Sequence, residues 1–109
     1  MTFQSRLQAL GEALAALPPK CYHYWRPKMD PPFIVWAENG QDSAQWANNH
    51  MAEQTLGGSV HYFTKTEYDP VCDSIQGVLN SLGLGWALES VQYEEETNLI
   101  HYEWSWGAL

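Results

Sequence analysis

The segment that most constrains the fold runs from Asp69 to Gly83. Asp69 and Pro70 suit the start of a helix, because an aspartate side chain accepts free backbone N–H bonds and proline needs no partner there. Apolar residues then recur at helical spacing, and glycine is a residue type that commonly ends helices. The segment predicts a helix with one apolar stripe, formed by Val71, Ile75, Val78, Leu79 and Leu82.

Two strands follow this helix and predict a hairpin. Residues 86–93 and 99–106 are rich in aromatic and aliphatic side chains, and the polar run 94–98 between them suits a loop. One face of the second strand carries an alternating apolar row, Ile100, Tyr102, Trp104 and Trp106. In the first strand the apolar phase shifts between Leu88 and Val91, which predicts a bulge.

The first half of the chain predicts one helix and three strands. Residues 3–17 have helical apolar spacing, Thr2 can cap the start, and the Pro-Pro pair that follows ends the helix. Strands are predicted at residues 21–26, 33–37 and 51–64. A bulge or bend is expected at Gly57-Gly58. Residues 38–49 are polar, which predicts a long loop.

The predicted element order is α-β-β-β-α-β-β. Two helices most easily cover one face of a five-stranded sheet, antiparallel or mixed, so the fold class is α+β with two helices packed on one face. The chain has 109 residues and no break in composition, which predicts a single domain over residues 1–109. No apolar run is long enough for a membrane helix and no signal peptide is evident, so the expectation is a soluble protein made in a cytoplasm.

Charge is divided unevenly along the chain. All five Lys and Arg residues lie in the first 65 residues, whereas the last 44 carry eight acids and no Lys or Arg. Such a surface repels phosphate, which argues against adhesive binding of nucleic acid. The acidic run Glu94, Glu95 and Glu96 is either a solvated loop or an acidic rim that faces a basic partner or a passage for DNA.

No nucleotide-binding loop, nucleophile elbow or Cys-x-x-Cys motif is present, and no cofactor is predicted. His101 and Glu103 share one face of the last strand, and His61 would join them if the two strands paired. Two histidines and a carboxylate are a set that zinc or iron uses, although a histidine on a strand is more often a half-exposed polar residue. Cys21 and Cys72 are predicted to be buried free thiols.

Six tryptophans are more than one small core usually absorbs. Trp104 and Trp106 are either core residues under the helices or part of a subunit contact. The predicted contact residues are Trp25, Trp36, Gln41, Asp42, Trp46, Trp104 and Trp106.

Several strings resemble small minor tail proteins of siphophages and prophages of Gram-positive bacteria. They are EQT at residues 53–55, VHYFTKTEYDP at 60–70, SVQYEEET at 90–97 followed by IHYEW at 100–104, and IVWAENG at 34–40. The resemblance extends from Tyr22 to Trp106 and contains no catalytic motif.

This resemblance implies a tail terminator, a tail completion protein that joins tail to head. It implies an α/β fold with helices on one side of a sheet, no enzymatic activity, and a hexameric ring that caps the tail tube at the head connector. The implied partners are the chain itself, the tail tube protein and the head–tail connector protein, with DNA passing through unbound and no membrane. The implied location is the head-proximal end of the tail in the virion, and the host cytoplasm during assembly.

Within this family the loop at residues 38–49 is expected to protrude and to contact the tube, the connector or the next subunit. A neighbouring role as connector or stopper stays open. Two other classes also remain: a small metal-dependent enzyme that uses His61, His101 and Glu103, and an acidic module that binds a basic protein by mimicking DNA.

Overall fold

The computed structural model describes residues 2–41, 46–47, 50–51 and 55–109, with side chains at 2–40 and 55–109. The elements are α1 (Phe3–Ala15), β1 (Lys20–His23), β2 (Phe33–Gln41), β3 (Trp46–Ala47), β4 (His50–Met51), β5 (Leu56–Thr64), α2 (Val71–Ser81), β6 (Gly85–Glu94) and β7 (Leu99–Gly107).

Five strands form one mixed sheet in the order β1-β2-β5-β7-β6. β1 is parallel to β2, and the other neighbours are antiparallel. The short strands β3 and β4 pair with each other. The main sheet and its two helices have the predicted order α-β-β-β-α-β-β, so the predicted α+β fold is confirmed.

Both helices pack on the same face of the sheet, as predicted. Leu10 and Leu14 of α1 and Ile75 and Leu79 of α2 are fully buried, because their helical spacing places them on one stripe. They form one core cluster with residues from the centre of the sheet, including Ile34, Trp36, Val60, Tyr62, Trp104 and Trp106. This face is called the helix face below, and the opposite one the open face.

Capping side chains place the helix starts close to the predicted positions. The Thr2 hydroxyl accepts the Ser5 N–H at 3.2 Å, as predicted for α1. α2 begins one residue later than expected, with Pro70 rather than Asp69 at the cap position. Asp69 still accepts the Val71 N–H at 3.0 Å. Gly83 has φ +72°, which fits its predicted role after the helix end.

The predicted loop at residues 38–49 is wrong at both of its described parts. β2 continues to Gln41, and Trp46–Ala47 is a strand. The polar composition of this segment suggested a loop, but the segment continues to pair with β5. The register shifts between Glu38 and Gly40 of β2, which pair with Gly58 and Gly57 of β5. The irregularity therefore lies opposite the glycine pair at which a bulge was expected. The strand predicted at residues 51–64 falls in two described strands, since Met51 belongs to β4 and β5 runs from Leu56 to Thr64.

The first strand ends earlier than predicted. β1 stops at His23 because Tyr24 has φ +81°, a conformation that breaks a strand. Since β1 and β2 are parallel, the chain must return along the sheet before β2 begins. This return crosses the open face, where the Arg26 guanidinium lies 4.2 Å from the centre of the Phe63 ring.

Candidate functional site

Strand β6 is one edge of the main sheet, and within the described residues it pairs only with β7. It is ten residues long and most of its side chains are exposed. Edge strands of this length present unpaired backbone N–H and C=O groups to any partner that can add a strand. Along β6 these backbone groups are accessible over ten residues.

An apolar row lies along β6. Leu88, Val91 and Tyr93 are 46%, 52% and 59% exposed. A register shift between Leu88 and Ser90 confirms the predicted bulge. Because of this shift, Leu88 and Val91 pair with Trp104 and Tyr102, which both belong to the helix face. The row is thus on the side of the sheet that is buried elsewhere.

An acidic hairpin closes the β6–β7 pair, where the loop was predicted. Glu95 and Glu96 are exposed, whereas Glu94 is half-buried. One Glu94 carboxylate oxygen lies 3.5 Å from an Arg26 guanidinium nitrogen. Asn98, at φ +59°, makes the turn and accepts a 2.8 Å hydrogen bond from the Tyr93 hydroxyl. This hairpin places negative charge at one end of the apolar row.

The predicted tryptophan contacts separate into two groups. Trp25 is 60% exposed and is free to contact a partner, whereas Trp36, Trp104 and Trp106 are 5%, 0% and 3% exposed. The last three belong to the core under the helices, which is the first of the two interpretations given for Trp104 and Trp106, and in the single chain they offer almost no contact area. The side chains of Gln41 and Trp46, and all of Asp42, lie outside the described part of the chain.

The structure brings His61 and His101 together on the open face, with His61 Nδ1 2.8 Å from His101 Nε2. Glu103 is the cross-strand partner of His61, as expected if β5 and β7 paired. Burial lowers the pKa of both histidines, and Glu103 opposes that shift. Within the described residues, however, no group of three His, Cys, Asp or Glu side chains is placed to hold a metal ion.

A second polar cluster was not singled out from the sequence. Glu38 accepts hydrogen bonds from His23, at 2.7 Å, and from the Tyr24 hydroxyl. The His23 ring stacks between Tyr24 and Trp36, with centroids 3.8 Å away on both sides. Partial burial would raise the pKa of Glu38, but the two hydrogen bonds lower it. The cluster fixes the chain where β1 ends.

This cluster borders an open cleft of about 790 Å³ beside the first turns of α1. The polar groups of His23 and Tyr24 were visible in the sequence, but the prediction of a strand at residues 21–26 treated both as ordinary strand residues. Only the parallel β1–β2 register brings His23 beside Trp36 and within reach of Glu38.

The two cysteines match the prediction of free thiols and are half-buried. Burial raises the pKa of Cys21 and of Cys72 to about 11, so both thiols are protonated near neutral pH.

No protein-family model matches the chain, and no curated protein matches it significantly. Among the described helices, none has the length and apolar character needed to cross a membrane.

Proposed function

We propose that this chain is a structural virion protein of a long-tailed phage or prophage. It caps the tail tube and joins it to the head connector, as the resemblance to minor tail proteins implies. The proposal places the protein at the head-proximal end of the tail, and in the host cytoplasm during assembly.

The observation that carries the proposal is the exposed apolar row on β6. Leu88, Val91 and Tyr93 have no role in the core of the single chain, yet they are conformationally fixed on a long sheet edge. Apolar and aromatic side chains in such a position are typical of protein–protein contacts. A protein that works by assembling with copies of itself and with other virion proteins requires a surface of this kind.

The partners follow from the same proposal. The chain contacts itself in a hexameric ring, the tail tube protein below the ring and the connector protein above it. A ring needs two different complementary patches on every subunit, because its contacts are heterologous. Exposed Trp25, and the segment at residues 38–49 with Gln41, Asp42 and Trp46, are the candidate contacts to tube or connector.

Acidic side chains fit the passage of DNA through such a ring. The last 44 residues carry eight acids and no Lys or Arg, so surface formed by them repels phosphate. DNA then passes without adhering, and no specific nucleic-acid contact is required.

The test is genetic and structural together. Deleting the gene from the phage or prophage that encodes it is expected to leave separate heads and tails, counted by electron microscopy, and the wild-type gene should restore joining. A variant with Leu88→Thr and Val91→Thr keeps the strand-forming tendency while removing the apolar row. It should fail to restore joining, whereas Leu82→Thr, which changes another exposed leucine, should succeed.

Normal joining of heads and tails after deletion would contradict the proposal. So would a purified chain that hydrolyses or transfers a substrate and has no effect on particle assembly.

A further inference from the structure

We propose that β6 of one copy of this chain pairs with β1 of a second copy, antiparallel and head to tail, so that the sheet continues from copy to copy. This inference rests on the proposed function and names the two surfaces through which its subunits meet.

The sheet has two edges, and they are different. The strand order places β1 at one side and β6 at the other, with no further strand on either among the described residues. β6 carries no proline and no lysine, which are the residues that commonly block the addition of another strand. Head-to-tail pairing uses both edges and leaves neither open inside a closed ring.

Strand direction favours this pairing. β1 is parallel to β2, and every step from β2 through β5 and β7 to β6 is antiparallel. β1 and β6 therefore run in opposite directions. Two copies in the same orientation, placed side by side, bring these edges together as an antiparallel pair, which is the more stable arrangement per residue.

The rows of paired residues give the register. One row crosses the whole sheet through Lys20, Phe33, Phe63, His101 and Gln92. Continuing this row into the next copy without stagger places Lys20 of one copy opposite Gln92 of the other.

The neighbouring rows place Cys21 and His23 of one copy opposite apolar residues of β6 in the next. The row that begins at Cys21 ends at Val91, and the row that begins at His23 ends at Leu88. The four residues of β1 thus cover the exposed part of β6 between Leu88 and Gln92. Two of the three residues of the apolar row, Leu88 and Val91, lie in this portion and lose contact with water on pairing.

Charge also favours β1 as the occupant. Lys20 is exposed at the start of β1, at the same end of the sheet as the acidic hairpin. Arg26, Lys28 and Lys65 line one cavity of about 400 Å³ at that end, with Asp30 as the acid among them. At the outer edges of this end, Lys20 lies on β1 and the acidic hairpin follows β6, so that a neighbouring copy presents the opposite charge.

Pairing of β6 with another β6 is less favourable. β6 carries Glu89 and Glu94 and no base, and the hairpin adds Glu95 and Glu96. Two such strands bring like charges close together across the pair, which is destabilising.

Cysteine cross-linking tests the register directly. In a background with Cys21→Ser and Cys72→Ala, the double variant Lys20→Cys, Gln92→Cys is oxidised mildly across a concentration series. We expect a ladder of covalent multimers on a non-reducing gel, because directly opposed residues are close enough for a disulfide. The control pair, Lys20→Cys with Ser81→Cys at the exposed end of α2, should give no ladder.

Chains that carry only one of the two cysteines show which strand of the second copy pairs with β6. Mixing the Lys20→Cys chain with the Gln92→Cys chain should give a covalent dimer that forms far less in either chain alone. Dimers from Gln92→Cys alone would show β6–β6 pairing and overturn the proposal. A chain that stays monomeric at every concentration, with no ladder, would overturn it as well.

A charge swap separates this contact from a role of the hairpin toward DNA. Glu95→Lys with Glu96→Lys, or Lys20→Glu alone, should weaken self-association about tenfold at low salt. Combining the three changes should restore most of that loss if the groups face each other between copies. Failure of the combination to restore any association would contradict the contact.

The two proposals fail in different ways. A purified chain that gives the ladder, from a phage that joins heads and tails without it, would retain the contact and reject the proposed function. Tails that contain the double variant, join heads normally and give no ladder would retain the function and reject the contact.

Discussion

Strands β6 and β7 belong to one hairpin, yet they have opposite surroundings. Leu88 of β6 and Trp104 of β7 are cross-strand partners on the helix face, and they are 46% and 0% exposed. The difference lies in what covers them. The Trp104 indole N–H donates a 3.0 Å hydrogen bond to Gln76 of α2, so the helix lies directly over β7.

This comparison shows that an apolar pattern predicts the side of the sheet on which a residue lies. It does not predict whether a helix buries that residue. Alternation along β6 and β7 is enough to place their apolar residues on the same side of the sheet. In this fold α2 lies over Trp104 of β7, whereas the apolar side chains of Leu88, Val91 and Tyr93 on β6 remain in water. These three side chains are therefore exposed on a side of the sheet that is buried elsewhere.

The largest expected difference in stability is between alanine substitutions at Trp104 and at Leu88. Trp104→Ala should lower the free energy of unfolding by about 3–5 kcal/mol, because it leaves a large cavity under α2. Leu88→Ala should lower it by less than about 1 kcal/mol, since its side chain is half in water. Urea unfolding of both variants as dilute monomers measures the difference. Equal losses would mean that β6 is covered in the single chain.

A smaller loss of stability is expected from the substitution Gly58→Ala in the core. Trp106 of β7 packs against Gly58 of β5, where an added methyl group would lie 2.6 Å from the Trp106 ring and also collide with the Ala37 carbonyl oxygen. Gly58→Ala should cost about 1–3 kcal/mol of unfolding free energy through overpacking.

The matched control for this change is Gly85→Ala at the start of β6. An added methyl group there meets nothing within 4 Å among the described residues. Its effect should remain within about 0.5 kcal/mol, as is usual for surface positions. A cost at Gly85 equal to that at Gly58 would show that this end of β6 is as tightly packed as β7.

Much of the fold was predictable because it depends on local patterns. The stripes that contain Leu10, Leu14, Ile75 and Leu79 specify two helices with one buried side each, and alternation after Gly83 specifies the hairpin. The polar composition of β2 beyond residue 37 hid the strand, because its hydrogen bonds come from pairing with β5 and not from any apolar pattern. Pairing with β5 therefore determined the secondary structure of this segment, where the local sequence signal was weakest.

The site was predictable only in part. The acidic run at residues 94–96 and the phase shift after Leu88 were visible in the sequence. Which tryptophans are exposed was not, because Trp25 lies past the end of β1 and is exposed, whereas Trp36 lies within β2 and is covered by α1. Parallel pairing of β1, which brings His23 to Glu38, also has no local signature.

The smallest expected effect concerns the open face of β7, where no helix lies and the histidine pair adjoins a small apolar cluster of Phe33, Val35, Phe63 and Leu99. His61 and His101 share one hydrogen bond, and two protonated rings would direct N–H groups at each other. Burial lowers the pKa of both histidines, and Glu103 opposes the shift at each; at His101 the neighbouring His61 and Arg26 lower the pKa further, while Glu94 opposes them. The folded state thus binds protons less readily than the unfolded state, whose histidines titrate near pH 6.5.

The sign of the pH dependence follows from this difference. Stability contributed by the neutral pair is complete above about pH 6.5 and is lost as the pH falls through the lower pKa values of the folded state. Urea unfolding between pH 7.5 and pH 5 should show this decline, and His101→Gln should flatten it while leaving the helix-face core intact. A decline of the same slope in the variant would assign the pH dependence to other groups. In that case the histidine pair would not account for any pH dependence that arises on the open face of β7.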